Sequence, residues 1–278
     1  MTNTGNPLIF VHIPKAAGTT LHQIIERQYP KHLTCTLDGT NPEAAIEQFK
    51  QLPEAQRMKI KVLKGHMPFG LHQFLSEPCT YITMLRDPVE RVISHYYYVL
   101  RKPNHYLHEK ITSQNMTLLD YVNSGISTEL NNGQAILLSG IDKRSGNLAE
   151  RSDEILEKSR QNLEQMAVVG IMEQFDETLI LLQKTFGWKN IFYVKEKVTK
   201  NKPMKDSLSL ETIQAIENQN YIDVKIYQHA QQLFAQQLSP IANLVEEVEQ
   251  FQKMNQYYQT IGQPYQIVKK KIKALMRK

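Results

Sequence analysis

Short apolar runs separated by longer stretches of helical spacing set the pattern of this chain. Five runs are rich in aliphatic or β-branched residues: Leu8–His12, Ile60–Leu63, Tyr81–Leu85, Ala167–Ile171 and Ile191–Val194. Runs this short and this continuously apolar predict strands covered on both faces. Between them apolar residues return at intervals of three and four, as in Leu21, Ile24 and Ile25 after the first run. That spacing predicts helices with one buried stripe. Strands alternating with helices predict an α/β fold of three layers, α/β/α, around a central, mainly parallel sheet. Ligands of such sheets bind beyond the carboxyl ends of the strands, so the residues that follow each run are the first candidates for chemistry.

The first run passes through His12-Ile13-Pro14-Lys15-Ala16-Ala17-Gly18-Thr19-Thr20 into a helix. An abrupt strand-to-helix turn leaves backbone N–H groups unpaired at the helix start, where the dipole also favours an anion. Gly18 permits close approach, Thr19 and Thr20 add hydroxyls, and Lys15 adds a full charge. The spacing differs from a nucleoside triphosphate loop, in which a Gly lies about five residues before a Gly-Lys-Ser/Thr run. Here Lys15 precedes Gly18, and Gly5 is the only earlier glycine.

The third run ends in Leu85-Arg86-Asp87-Pro88-Val89-Glu90-Arg91, followed by Ser94. Asp87 reads as an N-cap, Pro88 as the first helical residue and Glu90 as the capping-box partner. Arg86 at the strand tip and Ser94 on the helix suit a phosphate dianion. A structural ion pair for Arg86, and a magnesium ligand at Asp87 as in a nucleotide kinase, are the competing readings. After the second run, Lys64-Gly65-His66 sets an imidazole on the same edge. Histidine accepts a proton near neutral pH with the least retuning. His12 reads as a structural residue.

The segment His12 to Thr20 resembles the 5'-phosphosulfate loop of sulfotransferases that use 3'-phosphoadenosine 5'-phosphosulfate (PAPS). It is most similar to the branch of glycan enzymes such as heparan sulfate 2-O-sulfotransferase. Leu-Arg-Asp-Pro with Ser94 looks like that family's 3'-phosphate segment, and Gly65-His66 like its catalytic histidine. Further blocks follow in order: Asn131 to Gly140, Val169 to Thr178, Val198 to Pro203, and Asn220 to Ala230. By this resemblance the chain is identified as a member of the family, expected to be of the soluble, bacterial type and to have a P-loop-like fold.

The resemblance implies transfer of a sulfuryl group from PAPS to an acceptor hydroxyl of a carbohydrate or glycolipid. Adenosine 3',5'-bisphosphate (PAP) is then the product, and no metal is required. It assigns Lys15, Ala16, Ala17, Gly18, Thr19 and Thr20 to the phosphosulfate, Arg86 and Ser94 to the 3'-phosphate, and Thr199 and Lys202 to the nucleotide end. His66 becomes the base, and Lys15 stabilises the leaving phosphate. Lys64 stands where the heparan branch has a second histidine. Lys64, Asn132 and Gln134 are the expected acceptor contacts, and Ile136 stands where an arginine is usual. Two other functions stay in view, a magnesium-dependent small-molecule kinase and a catalytically silent nucleotide-binding protein.

Charge adds one feature. The formal net charge of +5 over 278 residues is carried by the end of the chain. Residues 266–278 hold Lys269, Lys270, Lys271, Lys273, Arg277 and Lys278 and no acid, leaving a near-neutral body. This excludes a broad nucleic-acid face. Val268, Ile272, Leu275 and Met276 fall on one side of a short basic helix, which fits a packed or solvated end, or peripheral contact with an anionic membrane. The expected division is a sulfotransferase domain over 1–240 and a helical extension with a basic tail over 241–278, with a break at Gly262 and Pro264. Cys35 and Cys79 lack metal-ligand spacing and read as free thiols. The first residues show no basic or apolar leader and no run approaches a membrane span, so the expected location is cytoplasmic.

Overall fold

The computed structural model describes residues 5–37, 41–195 and 205–275. Its centre is a five-stranded sheet of β1 (Leu8–Val11), β2 (Thr34–Leu37), β3 (Val62–Gly65), β4 (Thr80–Leu85) and β5 (Val168–Ile171). The order is β2-β3-β1-β4-β5, and every pair is parallel. β1, β3 and β5 are buried along their whole length, as their unbroken apolar sequences require once helices cover both faces. The architecture is the three-layer α/β/α arrangement.

Register decides which residues meet. Val11 is level with Gly65 on one side and Thr83 on the other, so His12 and His66 leave the sheet side by side. Leu85 is level with Ile171, which places Arg86 beside the segment carrying Glu173. β1 lies between strands reached from opposite directions, the position where an open α/β sheet makes its ligand crevice.

The strands depart from the sequence pattern at three places. β3 runs on through Lys64 and Gly65, because their backbones pair with Phe10 and Val11. Thr34–Leu37 forms an edge strand that the pattern missed; Thr34, Cys35 and Thr36 are small and at least partly exposed, and only Leu37 is buried. Ile191–Val194 is apolar and packed but is not a strand. Its polar backbone groups are taken by side chains instead: Tyr193 N–H donates to Asn255 Oδ1 (2.8 Å), and Arg27 donates to the Phe192 carbonyl.

The last described element is a single helix, Leu244–Leu275. The expected break is absent, since a proline deletes a single i→i−4 bond and can kink a helix without ending it. Val248 and Phe251 on this helix belong to the same core as β1 and β4. Packing therefore continues past residue 240. A second apolar cluster joins helix Pro88–Leu100 to helices Leu118–Asn123 and Leu210–Gln219. Among the described residues no helix is long and apolar enough to cross a membrane.

Candidate functional site

The loop after β1 is shaped by two left-handed residues that are not glycine, Lys15 (φ 71°) and Ala17 (φ 52°). Such conformations cost energy and persist where the surroundings enforce them. Two arginines do so here. Arg86 Nη1 donates to the Lys15 carbonyl (3.0 Å) and Arg91 Nε to the Pro14 carbonyl (3.2 Å). Ala17 caps the 11-residue helix Gly18–Gln28 without a side-chain bond. The Ala16 N–H turns back to Ile13 O (3.3 Å), and Thr20 N–H bonds Ala17 O (3.0 Å). The amides of Ala17 and Gly18 lie between, at the positive end of the dipole. Ala16 is buried, Thr19 is exposed and Thr20 half-buried. The Lys15 ammonium sits 4.0 Å from the centre of the Tyr98 ring, a cation–π contact that the sequence did not announce.

The Arg86 end is built from the cap. Asp87 accepts from Glu90 N–H (3.0 Å), with Pro88 in the first helical turn. The Glu90 carboxylate does not close the capping box. It accepts instead from Arg86 Nη2 (3.2 Å) and Lys205 N–H (3.2 Å). Glu173, after β5, lies 3.9 Å from Arg86 Nε and accepts from Tyr227 Oη. Burial lowers the Arg86 pKa, and Glu173 and Glu90 oppose that shift. Asp87 is spent on its cap and on Lys205 Nζ (3.1 Å), which weakens the magnesium-ligand reading. Ser94 is half-buried one helical turn beyond Glu90. Thr199 and Lys202 lie outside the described residues.

His66 is half-buried at the tip of β3. Its Nδ1 lies 3.2 Å from the His12 carbonyl. A carbonyl oxygen only accepts, so Nδ1 carries the proton and Nε2 keeps its lone pair. The His66 ring stacks on the His12 ring, centroids 4.1 Å apart. His12 bonds His22, and His22 bonds Lys64. Sequence reasoning had no role for His22 and only a structural one for His12.

The three expected acceptor contacts are turned elsewhere. Lys64 is 1% exposed, because strand alternation at β3 points it under the sheet edge, toward helix Gly18–Gln28. Gln134 is fully buried and clamps Arg86 by both backbone groups, accepting from N–H (3.0 Å) and donating to C=O (2.9 Å). Asn132 Oδ1 accepts from the N–H groups of Ile222 and Asp223. All three hold the scaffold. Facing Lys15 from the other side is an aromatic group in which His105 meets Tyr98, His95 and Tyr106. Glu129 accepts from His95 at 3.3 Å; that bond depresses its pKa to about 2. Among the described residues no cluster of three or more His, Cys, Asp or Glu could hold a metal ion.

A parallel sheet with a strand-to-helix loop after its central strand and an imidazole at the tip of the neighbouring strand points to a class. It is a group-transfer enzyme that works on a phosphate-bearing donor. Comparison with known proteins makes this specific. The sequence model of the galactose-3-O-sulfotransferase family matches residues 2–263, and the chain belongs to that family; it is a sulfotransferase. Chicken (Gallus gallus) heparan-sulfate 6-O-sulfotransferase 2 is 28% identical over 274 residues, 82% of this chain and 67% of that protein. Heparan-sulfate 6-O-sulfotransferase 1 of Cricetulus griseus is 25% identical over 275 residues, with the same coverage. A crystal structure of a mouse sulfotransferase complexed with PAP covers 83% of this chain and 91% of its own, at 12% identity and a TM-score of 0.31.

Proposed function

We propose that this sulfotransferase moves the sulfuryl group of PAPS to a carbohydrate hydroxyl, with His66 as base and Lys15 at the leaving phosphate. The observation that carries the assignment is the His66 Nδ1 contact with the His12 carbonyl (3.2 Å), which leaves Nε2 as the accepting nitrogen. His66 lies beside the start of helix Gly18–Gln28. In the transfer an acceptor oxygen attacks sulfur as its proton passes to His66 Nε2. The bond from sulfur to the bridging oxygen breaks, and its electron pair stays on the 5'-phosphate of PAP. Sulfuryl transfer resembles phosphoryl transfer in having a loose, in-line transition state, so catalysis is mostly positioning and charge stabilisation. Lys15, the Ala17 and Gly18 amides and the threonines would take the charge that builds on the leaving phosphate.

Arg86 and Ser94 are proposed for the 3'-phosphate, with Thr199 and Lys202 at the nucleotide end. For Arg86 this means exchanging carboxylate neighbours, Glu90 and Glu173, for a phosphate dianion. The aromatic group around His105 and Tyr106 suits sugar rings and is the proposed acceptor wall. The proposal also places the enzyme in the cytoplasm, where Cys35 and Cys79 stay as the free thiols found here. The lysine-rich end is then a peripheral contact for an anionic membrane. The relatives' galactose and heparan-type glycans are the acceptor classes to try first.

Two measurements test the site. Thermal-shift titration should show stabilisation by PAP and little by ATP with magnesium; preference for ATP would overturn the donor. Lys15→Ala and His66→Ala should each lower transfer from labelled PAPS by about 10²-fold or more. His66→Ala should leave PAP affinity nearly intact, whereas Arg86→Ala should weaken it. Near-normal transfer by His66→Ala would place the base elsewhere.

A further inference from the structure

Behind His66 lies a line of side chains that the transfer, as described, does not use. Lys64 is 1% exposed, and His12 and His22 are each 8% exposed. Lys64 Nζ is 2.9 Å from Glu26 Oε1, on the outer side of helix Gly18–Gln28, and 2.8 Å from His22 Nδ1. His22 Nε2 is 2.9 Å from His12 Nδ1. The His12 ring lies against that of His66, and its carbonyl takes the His66 Nδ1 proton. The elements involved are β1, β3 and one helix, all parts of the sheet's central crevice.

Each contact has a direction. An ammonium has three donors and no acceptor, so His22 Nδ1 accepts and its proton sits on Nε2. That proton points at His12 Nδ1, which must accept in turn, and His12 then carries its own proton on Nε2. His66 is the reverse case, with Nδ1 facing a carbonyl and Nε2 making no hydrogen bond among the described residues. Three imidazoles in contact would ordinarily compete for a proton. Here a proton added to His22 would meet the Lys64 donor, and one added to His12 would meet the His22 donor.

We propose that Glu26, Lys64, His22 and His12 form a one-way hydrogen-bond relay whose members are positioning residues for sulfuryl transfer. The relay holds His12 as the neutral platform for His66 and makes His66 the imidazole that takes the acceptor's proton. This inference rests on the reading of His66 as base. The charges facing the cluster support it. Burial first, and then the neighbouring His66, His22 and Lys64, keep His12 well below its ordinary pKa, and Lys15 adds to this. Burial and Lys64 bring His22 down to about 3. Glu26 is 57% exposed at its side chain, so it anchors Lys64 without neutralising the interior.

Ring-nitrogen NMR of the full chain, assigned with single His→Gln variants, tests the relay without an acceptor. The expected spectrum shows His66 as the Nδ1–H tautomer and both His12 and His22 as Nε2–H, with neither of the last two protonated at pH 6. Lys64→Met should release His22 and His12 into mixed tautomers. His22→Gln keeps an acceptor for Lys64 and a donor for His12, so His12 should stay Nε2–H there and lose that state in His22→Leu. This rescue remains readable should Lys64→Met fail to fold. Nδ1–H at His12 or His22 in the unaltered chain, or unchanged tautomers in both Lys64→Met and His22→Leu, would overturn the relay. Normal transfer by His66→Ala with the three expected tautomers in the unaltered chain would instead sink the base, leaving the hydrogen-bond directions standing and removing their role in transfer.

Discussion

Gly18 is where the anion loop and the histidine cluster touch. A Cβ at this position would lie 1.7 Å from His12 Nε2, so the ring could not keep its place. Gly18→Ala should therefore displace His12 from beneath His66, lowering transfer and costing about 1–3 kcal/mol as an overpacked site; urea melts and labelled-donor turnover read the two effects. The histidines also set a pH dependence. His22 is held near 3 in the fold against an ordinary 6.5, so between those values the unfolded chain binds more protons. Stability should then fall as pH drops from about 6.5 toward 3, by at most ~1.4 kcal/mol per pH unit for each such histidine. His22→Gln should flatten that slope in urea midpoints taken at pH 7 and 5; an unchanged slope would show that His22 is not held neutral.

Two helices cap each other across the molecule. Asn132 begins helix Gly133–Ser139 in the left-handed conformation, with no side-chain cap of its own. Its carboxamide oxygen instead accepts from Ile222 and Asp223 N–H at the start of helix Tyr221–Leu238. Asp223 returns the bond, accepting from Gln134 N–H (3.2 Å) and Ala135 N–H (2.8 Å). Arg91, fully buried, lies 3.6 Å from the same carboxylate and holds the Pro14 carbonyl. Asp223→Ala strips a buried guanidinium of its counter-charge and should cost about 3–5 kcal/mol in chemical denaturation. Asn132→Ala removes a cap and should cost about 0.5–2 kcal/mol. Periodicity gave no sign of this exchange, because it links residues about ninety positions apart. It could mark Asn132 and Gln134 as polar residues in an apolar helix, and it could not say that their partners were protein.

At the scale of the molecule, packing against the core continues beyond residue 240, where composition suggests that the extension begins. Val248, Phe251 and Asn255 are buried, and Asn255 holds the Tyr193 backbone. A chain ending at residue 261 should melt close to the full-length protein, whereas one ending at 240 should lose several degrees of melting temperature by calorimetry. We accordingly propose that the extension proper starts beyond Asn255. The same truncation at 261 tests the basic tail. Full-length protein should co-sediment with anionic vesicles at low salt and the shortened chain should not, since each surface Lys or Arg contributes about 1 kcal/mol. Equal recovery would remove the membrane contact and leave the transfer chemistry untouched.

What could be read from the chain alone was whatever nearest neighbours decide. The strand–turn–helix after β1, the Asp87 cap and the Gly65-His66 corner are local, and so is the apolar density that buries a parallel sheet; their residues announce them. Side-chain direction at a strand end was not local. Lys64 lies within β3 because Phe10 and Val11 pair there, and that pairing turns an expected acceptor contact into a buried donor to His22. His12, His22 and His66 stand 10, 44 and 54 positions apart, counted pairwise. Only the register of β1 with β3, and the helix returning across them, brings their rings together, and hydrogen-bond direction then decides which of them can accept a proton.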